Sequence, residues 1–248
     1  MLTKRLVTVL MLNDGVLFRT KKFVPDYRYT LNFVDSWFVD EIVILDITRP
    51  GEGDRKNFYD VIEQFSRRCF VPLAAGGGAR TIGDFKKFLS LGADKVVINS
   101  EAVKRPEFIT EAAKLLGSQC VVVSMDAQRN DRGEYEVFTD FGTKATGLNP
   151  ASWARKVQEL GAGEILITSI EKDGSLEGYD HELNRIVCQA VDIPVLVCGG
   201  AGKWQDFVDG FTKAKAAAVC TTNIYHFTDT SIKSAKAYLQ NAGVEVRT

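Results

Sequence analysis

Along the whole chain, short apolar runs alternate with stretches about a dozen residues long whose apolar positions recur at helical spacing. The runs cover residues 6–12, 41–48, 71–75, 95–99, 120–125, 164–169, 194–198 and 217–221. Several are apolar on consecutive positions, as in Ile42-Val-Ile-Leu45, which is the pattern of a strand covered on both faces. Between them, residues 85–91 and 153–160 place apolar side chains three and four apart, as one face of a helix requires. Eight strand–helix units in succession predict an all-parallel sheet, and eight is the number at which such a sheet closes into a (βα)8 or TIM barrel. No linker or low-complexity segment interrupts the pattern, so a single barrel domain over residues 1–248 is expected.

A longer period lies on top of the short one. Glu41-Ile-Val-Ile-Leu returns as Glu164-Ile-Leu-Ile-Thr, 123 positions later. Val71-Pro-Leu-Ala-Ala-Gly-Gly-Gly returns as Ile193-Pro-Val-Leu-Val-Cys-Gly-Gly, with Gly76-Gly77 and Gly199-Gly200 again 123 apart. Two half-barrels of four units each produce this spacing and predict two similar binding features on opposite sides of the barrel mouth.

Composition narrows the partners. With 31 Lys and Arg against 32 Asp and Glu, the chain has a formal charge of −1 and lacks the basic excess of a general nucleic-acid or membrane-surface binder. No apolar run approaches the roughly 20 residues of a spanning helix. Met1-Leu-Thr-Lys-Arg5 leads straight into the first strand, so no signal peptide is expected and the cytoplasm is the expected compartment. Five cysteines (Cys69, Cys120, Cys188, Cys198, Cys220) include no Cys-x-x-Cys pair and accompany only two histidines. They read as reduced, buried thiols, and neither a metal nor a cofactor is expected.

In a barrel of this kind the chemistry gathers where the strands end. The third run ends in Gly76-Gly77-Gly78 and the seventh in Gly199-Gly200-Ala-Gly202, turns in which bare backbone N–H groups can approach a phosphate. The fourth run ends in Asn99-Ser100 and the eighth in Thr222-Asn223, short polar side chains suited equally to helix capping and to phosphate. The sixth ends in a compact turn containing Asp173-Gly174. Paired glycine and Asn/Ser/Thr turns, related by the repeat, point to a ligand with two phosphate-like groups held mostly by backbone N–H, since no Lys or Arg is evident at both turns. Gly77, Gly78, Asn99 and Ser100 would hold one group; Asp173, Gly174, Gly199, Gly200, Thr222 and Asn223 would hold the other.

For acid–base work, Asp126 at the end of the fifth run is a candidate base, while Asp46 at the end of the second reads as a loop cap. His181 reads as solvated and His226, between Tyr225 and Phe227, as packed. At the opposite end, Arg5, Glu41, Lys95 and Glu164 stand at strand starts. They could form a salt-bridged ring across the barrel floor, but position alone leaves them as solvated strand-end charges.

Several segments together carry a resemblance: Leu2-Thr-Lys-Arg5, Leu45-Asp-Ile-Thr48, Ala75-Gly-Gly-Gly78, Gly92-Ala-Asp-Lys-Val-Val-Ile-Asn-Ser100, Gly161-Ala-Gly-Glu-Ile-Leu-Ile-Thr-Ser169, Gly178-Tyr-Asp180 and Gly199-Gly-Ala-Gly-Lys203. Over nearly its whole length the sequence resembles the cyclase subunit of imidazole glycerol phosphate synthase, the HisF family. The resemblance implies a ligand with a phosphate at each end. It implies ammonia drawn through the barrel core from a HisH-like glutaminase subunit on the N-terminal face, with Arg5, Glu41, Lys95 and Glu164 as the ammonia gate.

One position departs. Family members carry a general-acid aspartate in Leu-Asp-x-Lys-Asp-Gly, but this chain reads Leu10-Met11-Leu12-Asn13-Asp14-Gly15. The thioether of Met11 has no proton to give, so it cannot partner Asp126 in the family's way. The segment 21–30 also differs from the family's mobile loop. This pattern resembles a divergent HisF-like branch that works with a glutaminase and an ATP-dependent amidotransferase to form acetamidino sugars for surface polysaccharide. The alternative is the histidine-pathway cyclase itself. A second alternative is a partner-independent sugar-phosphate isomerase type of barrel, against which the four gate charges argue.

Overall fold

The structure, a computed structural model, describes residues 3–28, 39–221 and 232–247. Eight strands run parallel around a closed ring: β1 (Arg5–Asn13), β4 (Glu41–Asp46), β5 (Leu73–Gly76), β6 (Lys95–Ile98), β7 (Val121–Arg129), β10 (Glu164–Ser169), β11 (Val195–Cys198) and β12 (Ala218–Thr221). Closure is made by β12 on β1, from Arg5 opposite Ala218 to Thr8 opposite Thr221. Outside lie α1 (Arg55–Arg68), α2 (Ile82–Ser90), α3 (Ser100–Lys104), α4 (Glu107–Leu116), α5 (Pro150–Glu159), α6 (His181–Ala190), α7 (Trp204–Thr212) and α8 (Ile232–Asn241). The predicted TIM barrel is the observed fold, and each of the eight apolar runs overlaps a barrel strand.

Side-chain alternation divides the barrel into two apolar layers. Val7, Val9, Val43, Ala74, Val97, Val122, Leu166 and Leu196 point inward and pack against one another. The opposite faces, with Leu6, Ile42, Val96, Val123 and Ile165, meet the helices, where Phe58, Phe85, Phe88, Phe108 and Phe207 are fully buried. Helix starts are marked by local chemistry. Thr81 and Asp84 form a reciprocal capping box on α2, and Asn149 caps α5 with Pro150 at its first position.

Four further strands were not anticipated. β2 (Val16–Lys21) and β3 (Val24–Arg28) form an antiparallel hairpin continuing from β1. β8 (Tyr135–Thr139) and β9 (Lys144–Ala145) do the same after β7. Segment 21–30 is therefore a strand end, a tight turn and β3 rather than an open loop, as far as Arg28; Tyr29 and Thr30 lie outside the described residues. At the tips, Lys22-Phe23 and Asp140-Phe141 adopt matching positive φ angles of 49° and 62°, and 50° and 62°. The tips meet, because a Cβ placed on Gly142 would lie 3.0 Å from the Phe23 ring.

The half-barrel repeat is visible in the register. Met11 pairs with Phe18 and Leu45, and Asp126 pairs with Phe138 and Thr168. Leu45 and Thr168 share the 123-residue offset of Glu41 and Glu164. Met11 thus stands in the first half where Asp126 stands in the second. At the glycine turns the offset needs correcting. Gly77 and Gly78 (φ 104° and 66°) match Gly199 and Gly200 (φ 93° and 108°), so Gly76, a strand residue, is not the counterpart of Gly199.

Candidate functional site

At the N-terminal end, Arg5, Glu41, Lys95 and Glu164 close into a ring. Arg5 Nη1 lies 2.5 Å from Glu41 Oε2 and its Nη2 lies 2.9 Å from Glu164 Oε1. Lys95 Nζ completes the circuit at 2.8 Å from each of the same two carboxylates. These are not solvated strand ends: the Glu41 side chain is only 1% exposed and that of Glu164 12%. Each cation holds two anions and each anion two cations. The apolar interior begins immediately above.

At the opposite end the mouth has two unequal lobes. The larger, about 1310 Å³, contains the first glycine turn and is lined by Gly77, Gly78, Asn99, Ser100, Asp46, Asp126 and Met11. The smaller, about 30 Å³, contains the second and is lined by Asp173, Gly174, Gly199, Gly200 and again Met11. The predicted site residues are thus gathered at one end, with the two glycine turns across the mouth from each other on the third and seventh barrel strands. Thr222 and Asn223, like His226, lie outside the described residues.

Asp126 is the central titratable group. Asn99 Nδ2 donates to its Oδ2 at 2.6 Å and Ser124 Oγ to its Oδ1 at 3.5 Å. Burial pushes its carboxyl up to about 7, the neighbouring Asp173 adds to this, and the Ser124 and Asn99 bonds oppose it. A carboxyl titrating there suits proton transfer near neutrality. Burial raises the Asp173 carboxyl too, against bonds from the Phe23 N–H and Thr20 hydroxyl.

Several predicted phosphate contacts are engaged within the chain. Asn99 serves Asp126, and as the residue before α3 it makes no capping bond. Ser100 Oγ accepts the Asp140 N–H at 3.1 Å. Asp173 holds the β2–β3 hairpin, accepting from Thr20 Oγ1 at 3.1 Å and Phe23 N at 3.0 Å. Gly174 is covered by that hairpin, since a Cβ on it would stand 2.4 Å from the Thr20 carbonyl oxygen. Asp46 accepts the Thr48 N–H at 3.0 Å, as a loop cap should. Asp14 does not stand in for Met11: its carboxylate is bound to Asp54 N (3.0 Å) and Asn57 Nδ2 (2.7 Å) at the start of α1.

Other readings need amending. His181 is not simply solvated: it opens α6, its Nε2 stands 3.8 Å from Asp209, and its Nδ1 is buried. Only Cys198 and Cys220 are fully buried, while Cys69, Cys120 and Cys188 are half-buried. A basic residue does act at one of the two glycine turns, on its carbonyls: Arg55 donates to the carbonyls of both Gly77 and Gly78 at 3.0 Å. A sequence signal existed: Arg55 opens α1, where the helix dipole disfavours a cation. Among the described residues no group of three or more His, Cys, Asp or Glu is placed to hold a metal, and no helix is long and apolar enough to cross a membrane.

A closed barrel of two matched halves, with its titratable and glycine-turn groups collected at the C-terminal strand ends, defines the class: a doubled (βα)8-barrel with its candidate site at the mouth. The family described as histidine biosynthesis protein matches residues 7–231. The imidazole glycerol phosphate synthase subunit HisF of Clostridium botulinum (strain Okra / Type B1) is 44% identical over 253 residues, covering 100% of both chains. The chain belongs to the HisF family.

Proposed function

We propose that this chain is an ammonia-accepting synthase subunit, supplied by a HisH-like glutaminase seated on the N-terminal face of the barrel. The supporting observation is an alignment of parts along one axis. The charged ring lies at the floor, the apolar interior above it, and Asp126 with its raised carboxyl at the mouth. There the ammonia would meet a ligand whose two phosphate-like ends lie on the two glycine turns, with Asp126 taking a proton from the reacting nitrogen.

Two readings of the ligand divide. The full-length similarity to a HisF subunit favours ammonia-dependent formation of imidazole glycerol phosphate in histidine biosynthesis, and the comparisons support that reading better. Met11 favours the second reading, in which the barrel chiefly conducts ammonia to an ATP-dependent amidotransferase making acetamidino sugars. At the register position matching Asp126 it offers no exchangeable proton, and Asp14 is turned away. Loss of a general acid typically costs about 10²–10⁴-fold in rate.

Turnover of the histidine-pathway intermediate with saturating ammonium salt decides between them, because it needs no glutaminase. A rate of order 1–10 per second establishes the histidine pathway and shows that Met11 is tolerated. A rate lower by the factor above, raised by Met11→Asp, establishes the second reading.

A further inference from the structure

The Arg55 guanidinium grips the first glycine turn by its carbonyls. Nη2 donates to Gly77 O and Nη1 to Gly78 O, both at 3.0 Å, while Nε donates to the Tyr59 hydroxyl at 3.0 Å. Its carbon also lies 5.5 Å from the Phe88 ring centre and 5.7 Å from that of Tyr59, so the side chain is held on several sides. In a trans peptide the C=O and N–H of one unit point in opposite directions, and no peptide bond here is cis. Fixing the Gly77 and Gly78 carbonyls on the guanidinium therefore aims the N–H groups of Gly78 and Ala79 away from it. Both residues line the large lobe.

The second half repeats this turn with one exchange. Asp84 accepts the N–H groups of Arg80 and Thr81, and Asp206 accepts those of Gly202 and Lys203. Gly200, the counterpart of Gly78, has its carbonyl held at 2.8 Å by the Gly178 backbone N–H. A neutral amide thus does in the second half what a cation does in the first. The second lobe also carries the Asp173 carboxylate, which opposes an anion, while the cation in its lining, Arg19, is paired with Asp26. The acid facing Arg55 is Asp84, and it is already occupied by the Arg80 and Thr81 donors.

We propose that Arg55 is a positioning residue that makes the Gly77–Gly78 turn the tighter of two anion sites, the one that anchors a phosphoryl end of the ligand. This rests on the two-anion reading above. A cation on a carbonyl polarises its peptide unit, so the N–H at the other edge becomes a stronger donor. The same charge attracts a dianion directly.

The test is titration of the full chain with inorganic phosphate, followed at its backbone amides by NMR. In the wild type, the Gly78 and Ala79 amides should saturate at lower phosphate than those of Gly200 and Ala201. Arg55→Met should weaken the first pair on the order of tenfold and leave the second unchanged. Arg55→Lys should recover part of the loss, as a point charge without the paired donors. The proposal is overturned by equal saturation in the wild type, by an unchanged first pair in Arg55→Met, or by Arg55→Lys being as weak as Arg55→Met. Response at Gly200 alone removes Arg55's role and leaves the anion reading standing. No response at either turn in concentrated phosphate removes both.

Discussion

Asp126 suits its proposed role as a base because burial keeps its proton on to about pH 7, and the same burial makes it a cost to the fold. Its carboxyl titrates higher folded than unfolded, so between about pH 4 and 7 the folded chain holds a proton that the unfolded chain has released. Stability from this group is therefore full at low pH and declines as pH rises through that window. Asp126→Asn removes the titration and keeps an oxygen to accept from Asn99. Relative to wild type, the variant should gain about 4 kcal/mol in unfolding free energy above pH 7 and lose the proposed base. Urea unfolding of both proteins from pH 4 to 8 checks this, and a difference independent of pH would contradict it. At this scale an apolar run placed Asp126 at a strand end without deciding between a base and a loop cap, and Met11 stood out only against the motif of the family the chain resembles. Arg55 left only an indirect trace, a cation at a helix start where the dipole disfavours one, because it acts on backbone carbonyls, which leave no pattern of side chains to read.

The two hairpins show where element-scale reading stopped. Asp14-Gly15, with φ of 51° and 73°, is a two-residue hairpin turn whose Asp-Gly signal lay in plain view. It was absorbed into the comparison with the family's strand-end motif. β8 was missed because Val121–Arg129 runs on past the barrel rim, so the end of its apolar core at Met125 looked like the end of the strand. The β2–β3 hairpin is seated on the Asp173 turn through Thr20, Phe23 and Gly174. Gly174→Ala places a methyl 2.4 Å from the Thr20 carbonyl at a φ of 69° that alanine tolerates poorly. That change should lift the hairpin without disturbing the barrel. Hydrogen exchange should accelerate at Phe23 and across β2 and β3 while the barrel strands keep their protection; an unaltered Phe23 amide would refute the seating.

Across the whole molecule, the order and number of barrel strands were legible because each half-barrel repeats one local pattern. Ring closure at the floor was not, since its members come from the first, second, fourth and sixth strands and meet only once the sheet has closed. Lys95→Met would leave Glu41 and Glu164 to share Arg5 alone, at a cost of about 3 kcal/mol. Thermal unfolding measures that cost, and glutamine-driven activity with a cognate glutaminase should fall more than ammonium-driven activity. Equal effects on the two would speak against passage through the floor. On the proposed route the ring would also sort what can pass. A cation entering there would have to displace Arg5 or Lys95 from two carboxylates at once, and an anion would have to displace Glu41 or Glu164 from two cations. A small uncharged molecule would need only to borrow one donor or one lone pair at a time, so on that route the floor of this barrel would select for neutrality before size.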